Sequence, residues 1–339
     1  MKNIRQKKAL LQIVISVLVL MLLTGFEYWR DSGMLASTDG GRSVTLTVKP
    51  EMTVKDISEV LYQNGLIYNT MLFRIKTKLQ GVETSLQAGN YNLSSGMSMS
   101  AIIDKMVRGD TAYRLLTIPE GYNVEQIAKL LDEQGLGDGA TFKALSRNFT
   151  AMDYMVKRPE IMYAAEGYVF PDTYRITPGM TEEAILKMLV SNFDKKLTAE
   201  MRERAKALGL SLQQVVTLAS LVEKEAKLAA DRSVIAGVFY NRLKLDMPLQ
   251  SCPTVQYALG YPKVELTIAD TQIKSPYNTY QNPGLPPGPI ANPGIAAIQA
   301  VLYPADTPYL FFVAAPDGSH RFSKTYAEHL AAVDAVDQE

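Results

Sequence analysis

Two glutamates two residues apart, Glu223 and Glu225, stand in the segment ASLVEKEA. A carboxyl group can hand a proton to a leaving oxygen and take one back near neutral pH, provided burial raises its pKa. The segment belongs to a long helical pattern running from Ser211 to Leu243, opened by a capping-box signature of Ser211 with Gln214. At about 100° per residue, Gln213, Thr217, Ser220, Lys224, Lys227 and Asp231 form one polar stripe. Glu223 lies roughly 80° from its centre and Glu225 roughly 120°. Leu218, Leu221, Val222, Leu228 and Ala229 neighbour Glu225 at helical spacing, so its carboxyl should be partly desolvated and suited to general-acid work. The plainer alternative is a solvated pair, with Glu223 and Lys227 as an i,i+4 ion pair. Carboxylates at i and i+2 point about 200° apart, which disfavours the facing pair of a standard glycosidase.

Downstream lie MPLQSCPTVQYALG and SPYNTYQNPGLPPGPIANPG. The second, crowded with Pro, Gly, Asn and Tyr, cannot be a regular helix. Rigid loops of rings and amides line sugar-binding grooves, the rings stacking on sugar faces and the amides bonding hydroxyls; a structural Ω-loop is the alternative.

The elements that must carry these segments follow a repeat. Val44 to Val48 alternates as a half-buried strand does, and PEMTVKDISEVLYQNGLI reads as a short amphipathic helix with a Gly stop. Val54, Ile57, Leu61, Gly65 and Leu66 recur 70 residues later as Val124, Ile127, Leu131, Gly135 and Leu136. Tyr91, Gly96, Met97 and Ile102 recur 83 residues later as Tyr174, Gly179, Met180 and Ile185. Residues 44 to about 193 therefore hold two strand–helix pairs, twice, a duplication and not a solenoid. Such a β–turn–helix unit resembles a LysM-type module, which binds peptidoglycan; a generic α+β packing unit is the alternative. The second copy carries an insertion near Phe142 to Glu166, whose Phe149, Tyr154, Met155, Met162 and Tyr163 suit core packing.

The chain of 339 residues has 35 basic and 35 acidic side chains, 47% hydrophobic residues, one Cys and two His. This excludes a disordered chain and a strongly basic nucleic-acid binder. An intramolecular disulfide is impossible, and a His-rich or C-x-x-C metal site is not expected. The zero net charge conceals an asymmetry. Lys2, Arg5, Lys7 and Lys8 precede the first acid, Glu27; taking those four from 35 leaves 31 basic against 35 acidic residues beyond. Ala9 to Phe26 is uncharged and just long enough to cross a hydrocarbon core of about 30 Å, with Tyr28 and Trp29 at the far interface. The pattern predicts an uncleaved single-pass anchor with its N-terminus in the cytoplasm. A cleaved signal peptide fits less well, since Thr24-Gly25-Phe26-Glu27 is a poor cleavage site.

Taken together, ASLVEKEA, VFYNRLKLDMPLQSCPTVQYALG, SPYNTYQNPGLPPGPIANPG, EGYVFPDTY and the ending YLFFVAAPDGSHRFSKTYAEH resemble the endolytic murein transglycosylases, the MltG/YceG family. The resemblance runs from the anchor to about His329. It implies cleavage of the β-1,4 bond between N-acetylmuramic acid and N-acetylglucosamine in nascent glycan strands, leaving a 1,6-anhydro end and terminating elongation. It places the catalytic role on Glu225, with Glu223 the second candidate; the rings and amides of Gln250, Tyr277, Asn278, Tyr280 and Asn292 are the expected groove residues, joined by Asp172 and Tyr174. No metal or organic cofactor is required. One departure stands out: where the family usually has an acid after L-Q-[ST], this chain has Cys252, so that carboxylate cannot be essential here.

The resulting expectation is an α+β fold. It comprises a cytoplasmic tail (1–8), a membrane helix (9–26), a linker (27–42), a LysM-like module (43–110) and a catalytic region (111–339), whose residues 111–193 form a second LysM-like repeat with an insertion. The resemblance implies peptidoglycan strands as substrate and peptidoglycan synthases as partners. Competing readings are a folate-pathway lyase, disfavoured by the anchor, a non-catalytic peptidoglycan-binding scaffold, and a muramidase that hydrolyses the same bond.

Overall fold

The computed structural model describes residues 42–263 and 265–338, with 12, 14–19, 21–22 and 25. The tail, the linker and much of the expected anchor fall outside the described residues. Those described between 12 and 25 are helical, and Val14, Ile15, Leu18 and Leu22 are exposed. No single helix among the described residues is long and apolar enough to cross a membrane.

The chain forms two compact units, one ending at Arg114 and including Thr177–Gly179, the other holding Leu115–Ile176 and Met180–Glu339. In the first, β1 (Ser43–Val48) pairs antiparallel with β2 (Gly89–Ser94), Leu46 opposite Tyr91. Strand alternation sends Leu46 and Val48 into a core with Tyr91 and Leu93. On the other face Thr45 and Thr47 donate to Asn92 and Asn90 at 2.8 and 2.6 Å. Helices α1 (Val54–Gln63), α2 (Thr70–Leu79) and α3 (Met99–Val107) close the core through Ile57, Leu61, Phe73, Ile102 and Met106. The α1 start is fixed by a Thr53–Asp56 capping box.

The second unit repeats the order. Strand β3 (Arg114–Thr117) pairs with β4 (Thr173–Ile176), and α4 (Val124–Gln134) and α6 (Glu182–Lys196) follow them. Helix α5 (Gly139–Ser146) stands where α2 stands in the first unit and buries Phe142, and the inserted segment after it buries Met155 and Tyr163. Beyond lie α7 (Ala199–Ala207), α8 (Leu212–Glu225), a 3-10 turn (Ala229–Asp231), α9 (Arg232–Lys244), α10 (Cys252–Leu259) and α11 (Ile295–Leu302). An antiparallel hairpin of β5 (Phe311–Ala314) and β6 (His320–Ser323) then leads into α12 (Tyr326–Val336). Helices with small two-stranded sheets make this a mixed architecture, within the expected α+β class.

The central element is α8. Every residue from Val215 to Val222 is buried, because α7, α9, α10 and α11 all pack on it. Two expectations are corrected here. The single helix from Ser211 to Leu243 breaks at Ala226, whose backbone turns extended. Nothing in KEAKLAAD forbids helix, so tertiary contacts override propensity: Asp231 is held by His320, and Lys227 lies against Gly318. The polar stripe is also partly interior, since Thr217 and Ser220 are buried. Ser220 Oγ donates to Thr217 O at 2.7 Å and accepts from Ile290 N at 3.1 Å, pinning the Pro-rich loop to the helix.

Candidate functional site

Glu225 is the last residue of α8, at the point where the chain leaves the buried helix. Ser251 Oγ donates to its Oε1 at 2.6 Å. Ser251 stands at the N-cap position of α10, its hydroxyl given to Glu225 and not to the helix, and is itself fixed, its amide donating to Thr279 Oγ1 at 3.0 Å. Thr254 Oγ1 ties the same corner together, donating to Ser251 O at 2.6 Å and lying 2.9 Å from Thr279 Oγ1. Burial raises the Glu225 pKa, while the Ser251 bond and the charges of His320 and Arg242 pull it down; the net direction is up. A half-buried carboxyl of this kind stays protonated at higher pH than a solvated glutamate.

Arg242 on α9 is positioned by backbone carbonyls. Its Nε donates to Leu310 O at 2.6 Å and its Nη1 to Leu249 O at 2.8 Å, and the guanidinium lies 5.2 Å from the Phe311 ring centre. The β5–β6 hairpin closes over the exit from α8. Buried His320 pairs through Nδ1 with Asp231 Oδ2 at 2.8 Å, against the edge of Phe312. On the outer side Cys252 Sγ is 3.1 Å from Tyr280 Oη. The sulfur is exposed, yet the protein crowding it raises the thiol pKa, which opposes a nucleophilic role. Burial likewise raises the Tyr280 hydroxyl, with Cys252 and Glu225 adding to the effect.

Glu223 faces elsewhere. Its Oε2 accepts from Gly294 N at 3.0 Å, and its Oε1 lies 3.9 Å from Arg232. The side chain is 7% exposed, and burial raises its pKa. The i,i+4 pair with Lys227 does not form, since α8 ends first and Glu223 meets Arg232 instead.

The other expected site residues divide by burial. Gln250 is exposed and Tyr280 half-buried, both on the loops that bring Ser251 to Glu225. Gln250 has a positive φ of 48°, held by its amide donating to Thr279 O at 3.1 Å. Tyr277, Asn278, Asn292 and Tyr174 turn inward. Tyr277 packs on Tyr257 with ring centres 4.9 Å apart, and its hydroxyl accepts from Met162 N. Asn278 Nδ2 donates to Thr271 O and Ile273 O. Asn292 bonds Tyr122 O, Val169 N and Glu166. Tyr174 donates to Phe170 O, and Asn192 bridges it to exposed Asp172. These side chains hold loops in shape and present no free edge to a groove.

Glu166 went unnoticed in the sequence and is 1% exposed. Both its oxygens accept from Val124 N at 3.1 Å, with Tyr257 Oη and Asn292 Nδ2 as further donors. Burial pushes its pKa up to about 8 in spite of those donors. Next to it Gly167 has φ 87°, and a Cβ there would collide with Pro289 and Val216, so only glycine fits the bend. Among the described residues no cluster of His, Cys, Asp or Glu could hold a metal ion. One cleft beside the end of α8 is lined by Gly121, Lys224, Pro253, Gln256 and Tyr261. Another follows the start of α8 past Arg158, Gln213, Thr217, Asn282 and Pro286.

This arrangement offers one protonatable carboxyl with a hydroxyl partner and the Arg242 guanidinium nearby. Residues 46–335 match the model of the YceG-like family. The chain is 36% identical over 307 residues to the endolytic murein transglycosylase of Bacillus subtilis (strain 168), covering 86% of this chain and 84% of that one. It is 33% identical to the endolytic murein transglycosylase of Streptococcus pneumoniae serotype 2 (strain D39), covering 93% of this chain and 63% of that one. The crystal structure of a yceG-like protein from Listeria monocytogenes superposes with a TM-score of 0.61 at 36% identity, covering 86% of this chain and 99% of that one. By its family match and by these relatives, the chain belongs to the YceG-like family.

Proposed function

We propose that this protein is a lytic transglycosylase that cleaves peptidoglycan glycan strands, with Glu225 as its acid and base. The relatives named endolytic murein transglycosylase support the activity. The observation that carries the assignment of Glu225 is the contrast between the two glutamates. Half-buried Glu225 meets a single hydroxyl, whereas Glu223 is engaged by Gly294 and Arg232. One carboxyl suffices for a non-hydrolytic reaction. Protonated Glu225 donates to the glycosidic oxygen between N-acetylmuramic acid and N-acetylglucosamine as an oxocarbenium-like state forms. The resulting carboxylate then takes the proton from the muramyl 6-hydroxyl as that oxygen attacks the anomeric carbon. The cut leaves a 1,6-anhydro end on the muramyl-side fragment and a free 4-hydroxyl on the N-acetylglucosamine of the other, and no water or second base enters.

Tyr280 and Gln250, beside Glu225 and Ser251, are the groove residues that this geometry favours. The apolar run 9–26, basic before and aromatic after, supports a single-pass anchor in the cytoplasmic membrane with the catalytic region outside. The strand–helix pairs at 43–110 and 111–193 fit LysM-like modules, and a place near the membrane suits work beside peptidoglycan synthases. Mass spectrometry of glycan strands incubated with the protein tests the reaction. The anhydro product is one water lighter than a reducing end. A reducing-end product would make the protein a muramidase, and binding without product would make it a scaffold.

A further inference from the structure

Helix α2 carries an apolar stripe on its outer side. Met71, Ile75 and Leu79 are 66%, 41% and 82% exposed, and Tyr68, just before the helix, is 64% exposed. A spacing of four drifts only about 40° per step, so the three helical residues form one continuous ridge. Phe73 and Thr77, the buried residues of α2, lie on the opposite side, so packing within the unit does not use the ridge. Arg74, Lys76 and Lys78 flank it, and TMLFRIKTKL contains no acidic residue. A contiguous exposed apolar patch marks an interaction surface. A ridge edged by cations suits an anionic lipid surface, where apolar side chains enter the headgroup boundary and basic ones meet phosphates.

We infer that α2 rests on the anionic membrane surface next to the anchor. This rests on the proposed reading of residues 9–26 as a membrane span. A flexible chain of 16 residues, the length of the linker read in the sequence, reaches only about 20–24 Å in root-mean-square terms, which would keep the first unit within touching distance of the bilayer. Tethering lets so small a patch suffice, because binding is intramolecular. A neutral groove-binding peptide would not call for the three cations, and a purely anionic polymer would not call for the ridge.

The test uses the full chain, in a Cys252→Ser background, reconstituted into vesicles of phosphatidylglycerol or of phosphatidylcholine. Single cysteines at Ile15, Ile75 and Asn92 carry an environment-sensitive fluorophore, and brominated acyl chains serve as quencher. The expected result is quenching at position 15 in both lipids and none at 92. At 75, quenching should be several-fold stronger in phosphatidylglycerol and lost in the Arg74→Glu, Lys78→Glu double variant. Quenching at 15 with none at 75 overturns the inference and leaves the anchor standing. No quenching at 15 overturns both. Shielding at 75 that follows protein density and not lipid charge points to a second copy and also overturns it.

Discussion

Ser251 Oγ donates to Glu225 Oε1 at 2.6 Å, although the two residues lie on separate elements and only a folded loop brings them together. The bond both aims the carboxyl and favours its charged form. Ser251→Ala should lower kcat about 10- to 100-fold by loosening the acid. The Glu225 pKa should also rise, carrying the alkaline limb of the pH–rate profile to higher pH. A rate measured against pH on glycan strands checks both effects, and an unmoved limb would mean that the hydroxyl does not bear on the acid.

Glu225→Gln should abolish the anhydro product, a loss of at least about 10³-fold, while leaving the protein as stable or more so at neutral pH. The sign follows from the raised pKa. The folded state holds this proton more tightly than the unfolded chain, so the protein loses stability as pH rises above the ordinary glutamate value. A glutamine has no such proton to lose. Glu223→Gln should retain measurable activity and, since burial raises the Glu223 pKa as well, should likewise leave the protein no less stable at neutral pH. The reverse pattern would falsify the assignment.

The Asp231–His320 pair fixes the chain as it leaves α8. His320→Gln and Asp231→Asn should each lower kcat with little change in KM. In a double-mutant cycle they should couple by about 0.5–3 kcal/mol, as residues in contact do. When protonated, His320 lowers the Glu225 pKa, so His320→Gln should also shift the alkaline limb upward. Additive losses in the cycle would show that the two side chains act separately.

Glu166 gives a stability prediction. Its pKa rises from 4.5 to about 8 on folding, so its contribution is fully present below 4.5 and declines as pH climbs through 8. Glu166→Gln should flatten this slope, which for one proton reaches about 1.4 kcal/mol per pH unit. Glu166→Ala should cost about 3–5 kcal/mol, because Val124 N, Tyr257 Oη and Asn292 Nδ2 lose their acceptor. Denaturant titrations at pH 5 and pH 8 separate the two effects.

Local signals in the sequence carried far where periodicity and turns decide structure. The Ser211–Gln214 capping box starts α8, and the recurrences at 70 and 83 residues correspond to two sheets of the same order. The helical wheel gave Glu225 an apolar surround without showing what encloses α8. The stripe residues Thr217 and Ser220 suggest an outward face in sequence and lie inside, because four helices and the Pro-rich loop pack around the middle of α8. Loop composition showed which amides and rings were available, but not that Tyr277, Asn278 and Asn292 satisfy their own backbone neighbours. Ser251, Arg242 and His320 stood within recognisable motifs, yet only long-range folding gathers them around one carboxyl.

The helix ends also differ in what they offer Glu166, Glu223 and Glu225. Glu166 accepts from Val124 N in the first turn of α4, and Glu223 from Gly294 N at the cap of α11. Both carboxyls meet the positive end of a helix macrodipole, which favours an anion. Glu225, the last residue of α8, sits where the aligned carbonyls disfavour negative charge, with only the Ser251 hydroxyl donating to it. Burial raises all three carboxyls, and at Glu225 the backbone of α8 works in the same direction, favouring the proton until a substrate oxygen takes it.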